Sequence, residues 1–146
     1  MATREQVYSK FGLAAEAAQL FETDLGTMAL ALEGWKNQWH LAPDATKAAE
    51  FYERLNRKTL GQLLDGLTRH INFDEAGEAI FHDGLAARNQ LFHGFYERHG
   101  YRIQTDEGRN KMMADLERLH TLLFDAWQAA QQVAAMLTDT LYQNQQ

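Results

Sequence analysis

The chain has 146 residues, a single proline, no cysteine and a net charge of −6. That length suffices for one domain with a real core, and the absence of cysteine excludes disulfides, thiolate catalysis and zinc-finger sites. The acidic balance argues against broad electrostatic capture of nucleic acid.

Scarce proline and plentiful Ala, Leu, Glu and Gln predict an all-α domain. A single bundle of four to five helices with a long C-terminal helix, occupying residues 1–146, is the expected fold. The N-terminus Met1-Ala2-Thr3-Arg4-Glu5 lacks a signal-peptide hydrophobic region, and no apolar run approaches membrane-spanning length. A soluble cytoplasmic protein with no membrane partner is therefore expected.

The first helix is predicted from near Thr3 to about Trp35, because Phe11, Ala15, Ala18, Phe21 or Leu20, Leu25, Met28, Leu32 and Trp35 recur at steps of three and four. Gly12 and Gly26 inside it mark either close helix contacts or a kink. Residues 37–44 read as a loop, and Pro43-Asp44 sets up a new helix start. A second helix over about Ala45 to Arg57 turns Ala48, Phe51, Tyr52 and Leu55 inward. Thr59 with Gln62 has the form of a capping box and opens a short third helix to about His70.

Asp74 is the expected N-cap of a fourth helix running from about Glu75 to His99, which Gly100 ends in a left-handed conformation. Residues 101–104 read as an irregular link. Thr105, followed by Asp106 and Glu107, starts a last helix that reaches about Tyr142. Its seam of Leu116, Leu119, Leu123, Ala126, Ala130, Val133 and Leu137 suits packing within the bundle or against a second copy.

The fourth helix carries the residues with the most chemistry. Arg88, Asn89 and His93 put a fixed cation, an amide and a titratable imidazole within two turns. A planar guanidinium suits phosphate oxygens, so the trio points to a phosphodiester. The bare Arg-to-His spacing would arise about once by chance in a chain of this composition; the adjacent Asn and the Gly after the His add weight. On a straight helix Arg88 and His93 stand about 140° apart. They meet only if the helix distorts near Gly94, or if Arg88 of one chain meets His93 of another.

Arg88-Asn89-x-x-x-His93 resembles the signature of HEPN domains, all-α proteins of which many are metal-independent ribonucleases of toxin–antitoxin, phage-defence and RNA-processing systems. The resemblance covers about residues 80 to 135, with the motif late in the bundle and one long helix after it. It implies a homodimer with paired motifs at the interface, RNA (tRNA or mRNA) as substrate, an antitoxin partner protein, and no cofactor or metal. Arg88, Asn89 and His93 would be the catalytic residues. Several HEPN toxins carry a Tyr two residues after the motif His, whereas this chain has Phe95 there and Tyr96 beside it.

Cleavage through the substrate's own 2′-hydroxyl needs no metal. His93 would move the proton, Arg88 would neutralise the phosphate and Asn89 would orient it. The 88–111 window carries five Lys/Arg against three acids, so Arg98, Arg102 and Arg109 are candidates for pairing with substrate. Tyr96 and Tyr101 are candidates for stacking on bases.

Non-catalytic readings stand beside this one. Arg88 pairs with Asp83 or Glu97 and His93 is a satisfied half-buried histidine, which would leave a helical module for dimerisation, partner binding or RNA binding. His99 reads as a dipole partner at a helix C-terminus, and Glu78 with His82 as surface structure. Glu117-x-x-His120 has the spacing of a di-iron element, but its second copy is missing.

Overall fold

The computed structural model describes residues 1–143. Six α-helices and no strand occur among them: α1 (Arg4–Lys36), α2 (Ala45–Asn56), α3 (Leu60–His70), α4 (Glu75–Phe92), α5 (Phe95–His99) and α6 (Asp106–Gln143), with a 3₁₀ turn over Gly100–Gln104 between the last two. None is long and apolar enough to cross a membrane. The all-α bundle with a long last helix is thus the observed architecture.

Helix starts follow the expected chemistry. Thr3 and Thr59 each form a complete capping box, with Gln6 and Gln62 respectively. Asp44 and Asp74 accept from the backbone N–H groups of Lys47 and Gly77, and Thr105 accepts from that of Gly108.

The two long helices, α1 and α6, lie along one another and form the spine, and α4 packs into the same seam. Leu116, Leu119, Leu123, Ala126 and Ala130 of α6 are all fully buried against Val7, Ala14, Ala18, Phe21, Leu25 and Met28 of α1 and Phe81, Ala87 and Leu91 of α4. The α6 seam from Leu116 to Ala130 therefore packs inside the bundle, while Val133 and Leu137 at its far end are partly buried.

Small residues set the spacing. A Cβ at Gly84 would overlap that of Ala126 and lie 3.3 Å from the Phe21 ring, so α4 approaches the spine at its one buried glycine. Gly12 and Gly26 do not do this: nothing lies within 4 Å of a Cβ at either. The stretch facing α2 and α3 is looser. Trp35 and Tyr52, expected inside, are about half exposed, and only Leu55 of α2 is buried.

Two boundaries differ from expectation. The helix predicted to run to His99 stops at Phe92, and the link expected to be irregular is a 3₁₀ turn. The first difference has a local cause. Gly94 takes φ 107° and ψ 22°, a conformation open chiefly to glycine, and His93 before it has left the helical region at φ −107° and ψ 67°. Gly100 also has positive φ, at 55°.

Candidate active site

The break at His93-Gly94 builds the site. Had α4 continued, the His93 ring would point away from Arg88; with the chain turned, its Nε2 lies 3.3 Å from Arg88 Nη1. The meeting occurs within one chain. An arginine can only donate, so in this contact Nε2 is the acceptor and the ring proton sits on Nδ1. The same Nη1 donates to Asn89 Oδ1 at 3.3 Å. All three residues singled out in the sequence are brought together.

Arg88 is also anchored from outside its helix. Its Nε donates to Glu22 Oε1 on α1 at 2.7 Å, and its guanidinium lies 5.3 Å from the centre of the Phe92 ring. Neither Asp83 nor Glu97, the acids expected as structural partners, holds it. Glu22 lies 66 residues away in sequence and only the fold reveals it.

Arg88 and His93 line an open cleft of about 830 Å³ between α1 and the α2–α3 corner, whose far side includes Asn56, Lys58 and Thr59. Lys58 adds a second cation that the sequence did not single out. Asn89 does not line this cleft; its visible role is to hold Arg88. Turning Nη1 from His93 to another acceptor would leave Nε2 with a free lone pair at the edge of the cleft.

The residues proposed for substrate contact go elsewhere. Arg98 donates to Asp115 at 3.0 Å, and Arg102 donates to His99 Nδ1 at 3.1 Å; both line a different pocket, against α6. Tyr96 lines neither cleft and packs on Phe11, with ring centres 5.3 Å apart. Burial, followed by the neighbouring Tyr8, pushes its hydroxyl pKa up. Arg109 is committed to the fold, donating to the carbonyls of Ala2 and Ile103 and pairing with Asp106. Tyr101 is largely exposed.

His99 stands in the last turn of α5, the place expected of a dipole partner, and is also buried, with Nε2 2.7 Å from Asp115. Glu117 and His120 are bridged by the ammonium of Lys10, at 2.8 and 2.9 Å, so a cation side chain already stands between them. Glu78 and His82 lie 3.7 Å apart on the surface, as expected of that pair.

No protein-family model matches the chain, and no curated protein or solved structure is significantly similar to it. The HEPN resemblance accordingly rests on the motif and on the helices that carry it.

Proposed function

We propose that this protein is a metal-independent endoribonuclease of HEPN type, acting as a homodimer in a toxin–antitoxin or defence setting with an antitoxin protein as partner. The observation that carries the reading is the convergence of Arg88 and His93, 3.3 Å apart at the edge of an open cleft. Five positions apart on one helix, they meet only because the chain breaks between Phe92 and Phe95.

In this mechanism the phosphate draws Arg88 Nη1 away from His93. The freed Nε2 takes the proton of the 2′-hydroxyl as its oxygen attacks phosphorus. The P–O5′ bond breaks, leaving a 2′,3′-cyclic phosphate and a 5′-hydroxyl that takes its proton from water. Arg88, steadied by Glu22 and Asn89, neutralises charge on the equatorial oxygens. DNA, lacking the 2′-hydroxyl, is inert.

The test is incubation of the purified protein with tRNA and with mixed-sequence single-stranded RNA in excess EDTA, beside Arg88→Ala and His93→Ala. Cyclic-phosphate ends made by the wild type and by neither variant support the reading. Cleavage that persists in both variants, or no cleavage of any RNA, overturns it.

One observation favours a second reading. The Glu22–Arg88 pair ties α4 to α1 with both side chains only about a third exposed or less, which is what a non-catalytic helical interaction module would retain for stability. Under that reading Arg88→Ala lowers the melting temperature markedly while His93→Ala, at an exposed position, does not.

A further inference from the structure

On the side of α4 away from the Arg88 cleft, a shallow pocket of about 590 Å³ gathers Arg98, Arg102, Lys111 and Arg118 around Asp115 and His99. It shares no lining residue with the first cleft. Asp115 is its only carboxylate. Lys111 has its own exposed partner, Glu107, at 3.2 Å. Even with that lysine set aside, three guanidiniums face one carboxylate, an excess of two positive charges on a chain whose net charge is −6.

The arginines are held in place from beneath. Asp115 accepts from Arg98 at 3.0 Å on one oxygen and from Arg118 at 2.8 Å on the other. His99, whose side chain is 5% exposed, completes the base of the pocket. Because Arg102 can only donate to Nδ1, His99 presents Nε2–H, and that group donates to Asp115 at 2.7 Å. Arg118 is further fixed by Gln90 at 2.8 Å. Burial by itself pushes the Asp115 carboxyl pKa up. The hydrogen bonds from His99 and Arg118 and the charges of Arg98 and Arg118 override it and hold the group below the ordinary carboxylate value.

We propose that this pocket binds a phosphoryl group, gripped by Arg98, Arg102 and Arg118 with Lys111 at the rim. Three guanidiniums lining one pocket, two on Asp115 and one on His99, offer more donors than the two coplanar oxygens of a carboxylate can accept, whereas a tetrahedral phosphate accepts from all three. An excess of two charges matches a phosphate monoester dianion or two consecutive diesters. The group comes either from the backbone of a polynucleotide or from a free phosphate ester. The proposal does not depend on the cleavage chemistry assigned to the Arg88 cleft.

Isothermal titration at low ionic strength with inorganic phosphate, pyrophosphate and a short single-stranded oligodeoxynucleotide tests it. The wild type should bind at least one of these probes. Affinity should fall about tenfold or more in Arg102→Gln and in Arg118→Gln, more modestly in Lys111→Gln, and not at all in Lys47→Gln, an exposed lysine of α2 that lines neither cleft. Binding of the oligonucleotide alone assigns the pocket to a nucleic-acid backbone; binding of phosphate or pyrophosphate assigns it to a small ester. Thermal melts identify any arginine variant that has unfolded, and Lys111→Gln, whose side chain is more than half exposed and pairs with the exposed Glu107, then decides. No binding of any probe, or binding unchanged in the folded variants, overturns the proposal.

Discussion

Gly84→Ala isolates the contact that sets how closely α4 approaches the spine. In an exposed helix interior this change stabilises by about 1 kcal/mol. Here the added methyl would overlap the Cβ of Ala126 and sit 3.3 Å from the Phe21 ring. Neither neighbour is the free end of a flexible chain, so α4 and α6 must part along a seam in which Phe21, Phe81 and Leu123 are at most 1% exposed. Overpacking costs about 1–3 kcal/mol, and a direct overlap of two Cβ atoms belongs to the upper part of that range, about 2–3 kcal/mol, which outweighs the propensity gain. The net expectation is a loss of about 1–2 kcal/mol, or roughly 2–8 °C in Tm for a chain of this size. Ala126→Gly alone should also destabilise, through helix propensity and lost burial. The two together should be less harmful than their sum by about 1 kcal/mol, since the second removes the atom the first collides with. Urea and thermal melts of the four proteins complete the cycle. A Gly84→Ala protein as stable as wild type, or effects additive within about 0.5 kcal/mol, would refute this account of the α4–α6 packing.

Gly26→Ala is the counterpart: its Cβ meets open space, so Tm should rise by an amount corresponding to up to about 1 kcal/mol, and a fall would mean that α1 is not a regular helix there. Gly94→Ala forces a side chain into φ 107° at a cost of about 1–3 kcal/mol. Under the proposed function it should also reduce RNA cleavage more than Tm alone explains, as compared with wild type in assays well below both melting temperatures. The His120 pKa is lowered by burial first and by Lys10 second. The unfolded chain therefore takes up that proton before the folded one does, and stability present above about pH 6.5 is lost as pH falls through the lowered folded value. Melts at stepped pH should show a smaller drop from pH 7 to pH 5 in His120→Gln than in wild type; an identical drop would remove His120 as the cause.

Much of the bundle was legible because local rules decide it. Thr59-x-x-Gln62, Asp74 and Thr105 each place a side-chain acceptor within reach of its own helix's free N–H groups, and no distant residue is needed. The α6 seam was equally plain as a spacing, but spacing does not say what covers it. That it faces α1 and α4 emerges only from the assembled fold. The glycines show the same limit. Gly12, Gly26 and Gly84 are indistinguishable as letters in helical segments, yet only Gly84 has a neighbour against it. Exposure of Trp35 and Tyr52 was missed because α2 and α3 cover that end of α1 incompletely, which no periodicity within α1 records.

At the candidate site the legible part was the residue trio and the illegible part was its support. Arg88, Asn89 and His93 lie within six positions, and Gly94 beside them is the residue type that leaves a helix. Their convergence was therefore one of two stated routes, and the structure takes the one within a single chain. Glu22, Asn56 and Lys58 reach the same cleft from segments with no motif of their own. The basic window shows a deeper reason why sequence falls short. Arg98, Arg102 and Arg109 looked equivalent, but the turn at Gly94 that swings His93 toward Arg88 also redirects the chain that follows. Arg98 and Arg102 are carried to Asp115 and His99 on the opposite side of α4, while Arg109 is drawn to the N-terminal segment. One glycine thus separates two groups of cations that a continuous helix would have strung along a single path. Gly94→Ala should consequently disturb the Arg88–His93 contact while leaving the Asp115 cluster, fixed by α6 and by the buried His99, closer to its native geometry.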